Sequence, residues 1–403
     1  MKILISSIGS RGDVQPILAL ALELQALGHE PRLCVAPNFK DWIEARGIPC
    51  IPIGPDLRKL TGGAPPARLA SPTPEQRRQL AAYTVREQFQ VLSEAAKDCD
   101  MIVGAGALQL AARSIAELLR IRYIFVTYCP AVLPSPDHPP PKMDKRYPQS
   151  LPGFVNRYLW AKDRQQWDGL FGATLNEERH KVGLGPVDSV QRYVFTERPW
   201  IAADPVLAPT PSTPGMQTVQ AGAWMLSDAT PLPEELERFL GDGEPPVYFG
   251  FGSMRAAETT SRALIGAARQ VGMRSIVSQG WGNLGSIDAG ADCLCIGDVS
   301  HEKLLTRVAA VVHHGGAGTT TAAARAGKPQ VIVPHHYDQH YWAHRMSRLG
   351  VGVFGPTRDR LDVQSIAAAL QECSRGEVKA RAQSLASRVQ LDGARVAALR
   401  LVS

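Results

Sequence analysis

The stretch from Val311 to Gln339, VVHHGGAGTTTAAARAGKPQVIVPHHYDQ, constrains the fold more than any other part of the chain. A short apolar run, Ala309-Ala310-Val311-Val312, breaks at His313-His314-Gly315-Gly316-Ala317-Gly318. Thr319, Thr320 and Thr321 lead into an alanine-rich helical segment that stops near Gly327, and Gln330 to Val333 reads as a second strand. Strand, glycine loop, helix and strand in this order form a βαβ unit, the building block of an open parallel sheet. The loop leaves backbone N–H groups unpaired at a helix N-terminus, where the partial positive charge of the helix favours an anion. A phosphate or diphosphate suits that environment, with threonine hydroxyls and His314 as further donors. The second strand delivers Asp338 and Gln339 at its carboxyl end, side chains of the kind that hold sugar hydroxyls. A glycine loop can equally be no more than a tight turn, so the loop alone leaves ligand binding open.

The rest of the chain repeats the pattern. Lys2 to Ser7 reads as a strand, Gly9 to Asp13 as a loop, and Pro16 as the start of a helix that Gly28 stops. Strands are expected at Pro31 to Ala36, Ile51 to Ile53, Met101 to Val103 and Tyr123 to Tyr128, with strand-like stretches near Val194 and Trp200 to Ala202. A second series follows at Pro246 to Phe249, Arg274 to Ser278, Cys293 to Ile296 and Leu349 to Phe354. Long helices are expected from Pro74 to Lys97, Leu151 to Val182, Asp362 to Ser374 and Val378 to Leu399. Asp204 to Thr218 carries Pro205, Pro209, Pro211 and Pro214 and reads as an interdomain linker. The expected domains are therefore 1–204 and 219–403 about a linker at 205–218, with the last helix able to return to the first domain. Two facing doubly wound α/β halves place ligand in the cleft at the carboxyl ends of their strands. Two loops border that cleft: Leu57 to Thr73, read as a mobile surface loop, and the proline-rich Cys129 to Tyr147.

A length of 403 residues is enough for two cores. The net charge of +6 suits an anionic small ligand, yet no dense Lys/Arg run marks a nucleic-acid surface or a membrane patch. Met1 to Ser7 is a first strand rather than a leader, and the apolar helix Ile17 to Leu27 contains Glu23 and is too short to span a bilayer. Seven cysteines without paired spacings point to reduced thiols and a cytoplasmic location.

Several constellations compete for function. Asp13, in Gly9-Ser10-Arg11-Gly12-Asp13, can cap the following helix or act as a base on the ligand face of the sheet. Trp281, beyond the strand Arg274 to Ser278, can simply pack under a loop. Histidines 336, 340 and 344 recur at helical spacing, but no His-Glu-x-x-His frame accompanies them. Asp98-Cys99-Asp100 mimics a metal-binding Asp-x-Asp motif, yet it precedes a strand instead of following one. Gly104-Ala-Gly106 lacks the third glycine and acidic partner of a dinucleotide site.

The His-Gly-Gly-Ala-Gly-Thr-Thr loop with its downstream Asp-Gln resembles the nucleotide-sugar signature of inverting, two-domain (GT-B) glycosyltransferases. Nearly end to end, including Gly-Ser-Arg-Gly-Asp, Cys129-Pro130, Pro134-Ser135-Pro136 and Pro139 to Pro141, the chain is similar to those that decorate vancomycin-type glycopeptide antibiotics. That group belongs with sterol and natural-product glycosyltransferases. The resemblance implies a GT-B fold of two facing Rossmann-like domains, and a UDP- or dTDP-sugar co-substrate with no metal or other cofactor. It implies Asp13 as the general base on the acceptor hydroxyl, and Ser10, Ser253, His314, Gly316, Gly318 and Thr319 on the donor diphosphate. Trp281 and Val299 fall at the nucleotide base and ribose, and Asp338 and Gln339 at the donor sugar. The implied acceptor is a hydrophobic or aromatic natural product, a glycopeptide aglycone before a sterol, macrolide or aromatic polyketide, with neither nucleic acid nor stable membrane association. A nucleotide-sugar-binding module without turnover would share the donor loop but has no need of a carboxylate opposite it.

Overall fold

The computed structural model describes residues 1–57, 72–143, 146–252, 258–280, 290–357 and 360–403. Two all-parallel sheets organise them. The first has the order β3-β2-β1-β4-β5-β6-β7, with β1 Lys2–Ser7, β2 Glu30–Val35, β3 Cys50–Pro52, β4 Met101–Ala105, β5 Arg122–Thr127, β6 Trp200–Ile201 and β7 Val219–Gln220. The second has the order β10-β9-β8-β11-β12-β13, with β8 Val247–Gly250, β9 Ser275–Ser278, β10 Cys293–Ile296, β11 Ala310–His313, β12 Gln330–Ile332 and β13 Gly352–Phe354. Each sheet is covered on both faces, as parallel strands require. Side chains alternate between the faces: Ile3 and Ile5 meet the helices Arg11–Ala26 and Gly393–Val402, whereas Leu4 and Ile102 meet Pro74–Ala95 and Gly153–Lys181. In the second sheet Phe249, Val312 and Val331 pack with Leu264, Ile366 and Leu370, while Tyr248, Ile276 and Val311 pack with Leu236, Leu304 and Ala323.

Several elements depart from the sequence reading. The first helix starts at Arg11, five residues before Pro16, which therefore lies inside it. Ser10 is the N-cap, and Asp13, the third helical residue, accepts the Ser10 backbone N–H on Oδ2 at 2.8 Å. That cap stabilises a helix start that costs one hydrogen bond at Pro16. The region near Val194 is a helix, Val190–Phe195, not a strand. The expected helix over 378–399 is two, Gly376–Ala386 and Gly393–Val402. At the start of the second, Gly393 lies so close to the chain at Gly222 and Ala223 that a Cβ would sit 2.4 Å from the Ala223 carbonyl oxygen. The first sheet also takes in β7, past the expected linker, and the last helix packs on the first.

Asp98 and Asp100 lie at the amino edge of the first sheet. Asp98 pairs with Lys2 and Arg32, and Asp100 Oδ2 accepts the Lys2 N–H at 2.7 Å. They tie β1 and β2 to β4, on the edge away from the strand ends that carry the candidate residues. All seven cysteines are thiols. No helix among the described residues is long and apolar enough to cross a membrane.

Candidate active site

A cavity of about 580 Å³ lies between the sheets, and its walls are the segments that leave the carboxyl ends of their strands. Ser10 to Asp13 follow β1 and Tyr128 follows β5; Gly252, Gly280, Val299, His314 to Thr319 and Tyr337 to Gln339 follow strands of the second sheet. Of the residues singled out in the sequence, Ser10, Asp13, Val299, His314, Gly316, Gly318, Thr319, Asp338 and Gln339 all line it. Ser253 and Trp281 lie outside the described residues, as do 58–71 of the expected surface loop.

The glycine loop is shaped from within. His313 is fully buried: Nδ1 accepts the Gly315 N–H at 3.1 Å and Nε2 faces Gln330 Oε1 at 2.9 Å, so this histidine holds the turn. Gly315, at φ 93, makes the turn where a Cβ would meet Ile332 at 2.8 Å. Gly316, the N-cap of helix Ala317–Arg325, leaves room for His314, whose Nε2 would lie 2.6 Å from a Cβ there. Burial, then the neighbouring His336, lower the His314 pKa to about 4, so its imidazole is neutral at physiological pH. The Gly250 backbone opposes that shift, and among the described residues His314 Nδ1 has no partner within hydrogen-bond geometry. A Cβ on Gly318 would meet nothing within 4 Å, so protein packing does not demand glycine there. The open space at that helix start belongs to the cavity. Thr320 and Thr321 turn inward to the carbonyls of Gly316 and Ala317, leaving Thr319 as the hydroxyl on the cavity wall.

Among the acidic residues that line the cavity, Asp13, Asp228, Asp298, Glu302 and Asp338, the first and the last have raised pKa values. Burial raises the Asp13 pKa to about 6 despite the stabilising bonds from Ser10. Asp338 is raised to about 7, first by burial and also by the charge of Asp13, against the bond that Trp342 Nε1 donates to its Oδ2 at 3.2 Å. Gln339 Oε1 accepts the N–H groups of His335 and His336 at 2.7 and 3.2 Å, so this side chain braces the loop that carries Asp338.

Sequence reasoning missed three groups that brace the walls or join them. Arg11 reaches across to pair with Asp298, which precedes Val299 on the opposite wall. The Tyr128 hydroxyl donates to the Asp13 carbonyl at 2.7 Å and fixes the first turn of the helix. Tyr337 donates its N–H to the Lys142 carbonyl at 2.9 Å. Charge gave a signal for Arg11; nothing in the sequence singles out Tyr337.

Similarity to known proteins runs along the whole chain. The Glycosyltransferase family 28 N-terminal domain matches residues 3–134, and the Erythromycin biosynthesis protein CIII-like, C-terminal domain matches residues 291–392. Glycosyltransferase GtfC of Amycolatopsis orientalis is 43% identical over 99% of this chain and 96% of its own. The vancomycin aglycone glucosyltransferase of the same organism is 41% identical over the same shares. Among solved structures, the spinosyn forosaminyltransferase SpnP superposes with a TM-score of 0.74 at 17% identity, over 100% of this chain and 98% of that one. The fold is GT-B, and a protein with this fold and these relatives is a glycosyltransferase. More narrowly, the chain belongs to the glycosyltransferase family that contains GtfC and the vancomycin aglycone glucosyltransferase.

Proposed function

We propose that the protein moves a sugar from a UDP- or dTDP-sugar to a hydroxyl of a glycopeptide antibiotic aglycone or pseudoaglycone, with inversion and without a metal ion. The observation that carries this reading is the cavity itself, with a desolvated carboxylate on one wall and an open helix N-terminus on the other. Asp13 takes the proton of the acceptor hydroxyl as its oxygen attacks the anomeric carbon. The bond from that carbon to the diphosphate breaks in the same displacement, and the nucleoside diphosphate leaves. Backbone N–H groups at the start of helix Ala317–Arg325, with Thr319, His314, Ser10 and Ser253, receive the leaving charge. Val299 and Trp281 stand at the base and ribose, and Asp338 and Gln339 at the sugar. In this division residues 1–204 carry the acceptor, 205–218 link, and 219–403 carry the donor, with the last helix and β7 lying on the first domain.

The glycopeptide acceptor is supported by the vancomycin aglycone glucosyltransferase and by the dTDP-epi-vancosaminyltransferase of Amycolatopsis orientalis, 39% identical over 96% of this chain. Seven thiols support a reducing, cytoplasmic location. Mass spectrometry after incubation with glycopeptide aglycones and UDP- and dTDP-sugars tests the reading. One added sugar, formed equally well in EDTA, is the expected product. Transfer to sterols or macrolides alone moves the acceptor assignment, and a requirement for magnesium or manganese overturns the metal-free one.

Gly318→Ala separates ligand from fold at the same loop. The added methyl meets no other side chain of the described residues within 4 Å, and alanine suits a helix better by roughly 1 kcal/mol, so Tm is expected to hold or rise. Calorimetric affinity for UDP or dTDP is expected to fall. An unchanged affinity places the diphosphate elsewhere.

A further inference from the structure

We propose that the proline-rich loop of the first domain positions the donor sugar, through the backbone bond between Lys142 and Tyr337. The inference rests on the reading that Asp338 and Gln339 hold that sugar. To donate its N–H to the Lys142 carbonyl, Tyr337 adopts φ 57, a left-handed conformation that non-glycine residues seldom take. Its neighbour in the chain is Asp338, so the direction of the Tyr337 backbone fixes where that carboxylate points.

The other end of the bond is anchored in the first domain. The Lys142 ammonium binds Asp163 and Gln166 on helix Gly153–Lys181, and Asp163 also accepts Gln191 Nε2 at 2.6 Å. Two ring contacts fasten the same loop across the cleft. The Arg146 guanidinium stands 5.4 Å from the Phe354 ring centre, and the His138 ring stands 6.1 Å from Tyr341 while Trp160 Nε1 donates to the His138 carbonyl at 3.0 Å. A continuous path thus runs from Asp163 through Lys142 and Tyr337 to Asp338. Met143, next to Lys142, lines the cavity. An acceptor that presses on this loop therefore acts first on the sugar contact, because the glycine loop and its helix follow a different strand, β11, and among the described residues make no bond to Lys142. Tyr337 is a positioning residue in this scheme, and Lys142 is its support.

Lys142→Met tests the path, because it removes the ammonium and keeps the carbonyl and the chain length. Lys142 is not itself among the residues that line the cavity. KM for the sugar nucleotide is expected to rise roughly tenfold, with UDP and dTDP affinity unchanged within about twofold and donor hydrolysis gaining on transfer. Lys142→Arg is expected to restore most of the loss. A second pair reads the backbone: asparagine tolerates the left-handed region and valine does not. Tyr337→Val is expected to lose kcat on the order of 10²-fold, and Tyr337→Asn to retain about ten times the kcat of the valine variant. Equal losses in UDP affinity and sugar-nucleotide affinity overturn the proposal, since they mean a general opening of the cleft. So does an acceptor KM that rises in Lys142→Met while the donor KM stays, or an equal fall in the asparagine and valine variants. A parent protein that binds neither UDP nor dTDP sinks the donor-site reading itself, and this inference with it.

Discussion

Asp13→Asn is expected to lower transfer by about 10²–10⁴-fold while UDP and dTDP binding persist. Asp13 accepts the Ser10 N–H, as a helix cap does, and its carboxylate also faces the cavity, where the proposed base has to stand. Asparagine is nearly isosteric and its carbonyl oxygen can still accept that N–H, so the helix start survives and only the base is lost. The pH profile carries a second signature. In the parent, activity falls as pH drops through the range set by Asp13, near 6, and Asp338, near 7, which titrate as a pair. Without the charge of Asp13, the limb that remains belongs to Asp338 and moves to lower pH. Stability gives a third. A carboxyl whose pKa is raised by folding binds its proton more tightly in the native state, so the native state loses stability as pH rises from about 4 to 6. The substitution is therefore expected to stabilise the protein at pH 8, on the order of 2–3 kcal/mol, and to have little effect at pH 4. Near-normal turnover in this variant would reduce Asp13 to a helix cap.

His314→Ala is expected to lower kcat by about 10²–10³-fold, the usual effect of deleting one donor to a developing oxyanion. The imidazole is neutral above its pKa of about 4, so it contributes a hydrogen bond instead of a cation. Its contribution is accordingly flat between pH 5 and 8, and the variant should keep the acid limb of the parent. Weaker binding of UDP and dTDP should accompany the loss of rate, because the same donor serves the product. The fold is expected to hold: the loop is shaped by His313, whose bonds to Gly315 and Gln330 remain. Unchanged affinity and rate would assign the diphosphate to other groups.

Local chemistry made much of this legible in advance. Apolar runs punctuated by glycine placed the long strands within a residue or two, and the glycine loop lies at the end of β11. The start of the first helix was misplaced because Pro16 carries a strong first-turn preference, although Ser10-x-x-Asp13 is itself a capping pattern. The break before Gly393 stayed hidden because its cause is a contact with residues 222 and 223, far away in sequence. The same holds at the site. Residues that line the cavity from strand ends follow from the βαβ rule, whereas the Arg11–Asp298 pair and the Lys142–Tyr337 bond depend on how two halves meet. Nothing within a few residues of either partner encodes such a meeting.

The return of helix Gly393–Val402 to the first helix has a consequence for how the protein is made and recombined. Ala397, Ala398 and Leu401, all fully buried, complete the core around Ile17 and Leu20. The half that is translated first is thus finished only after residues 393–402 have been made, because its core stays open until they arrive. Gene fusions that exchange donor halves between relatives must likewise cut twice, and leave residues 393–402 with the parent that supplied the amino-terminal half.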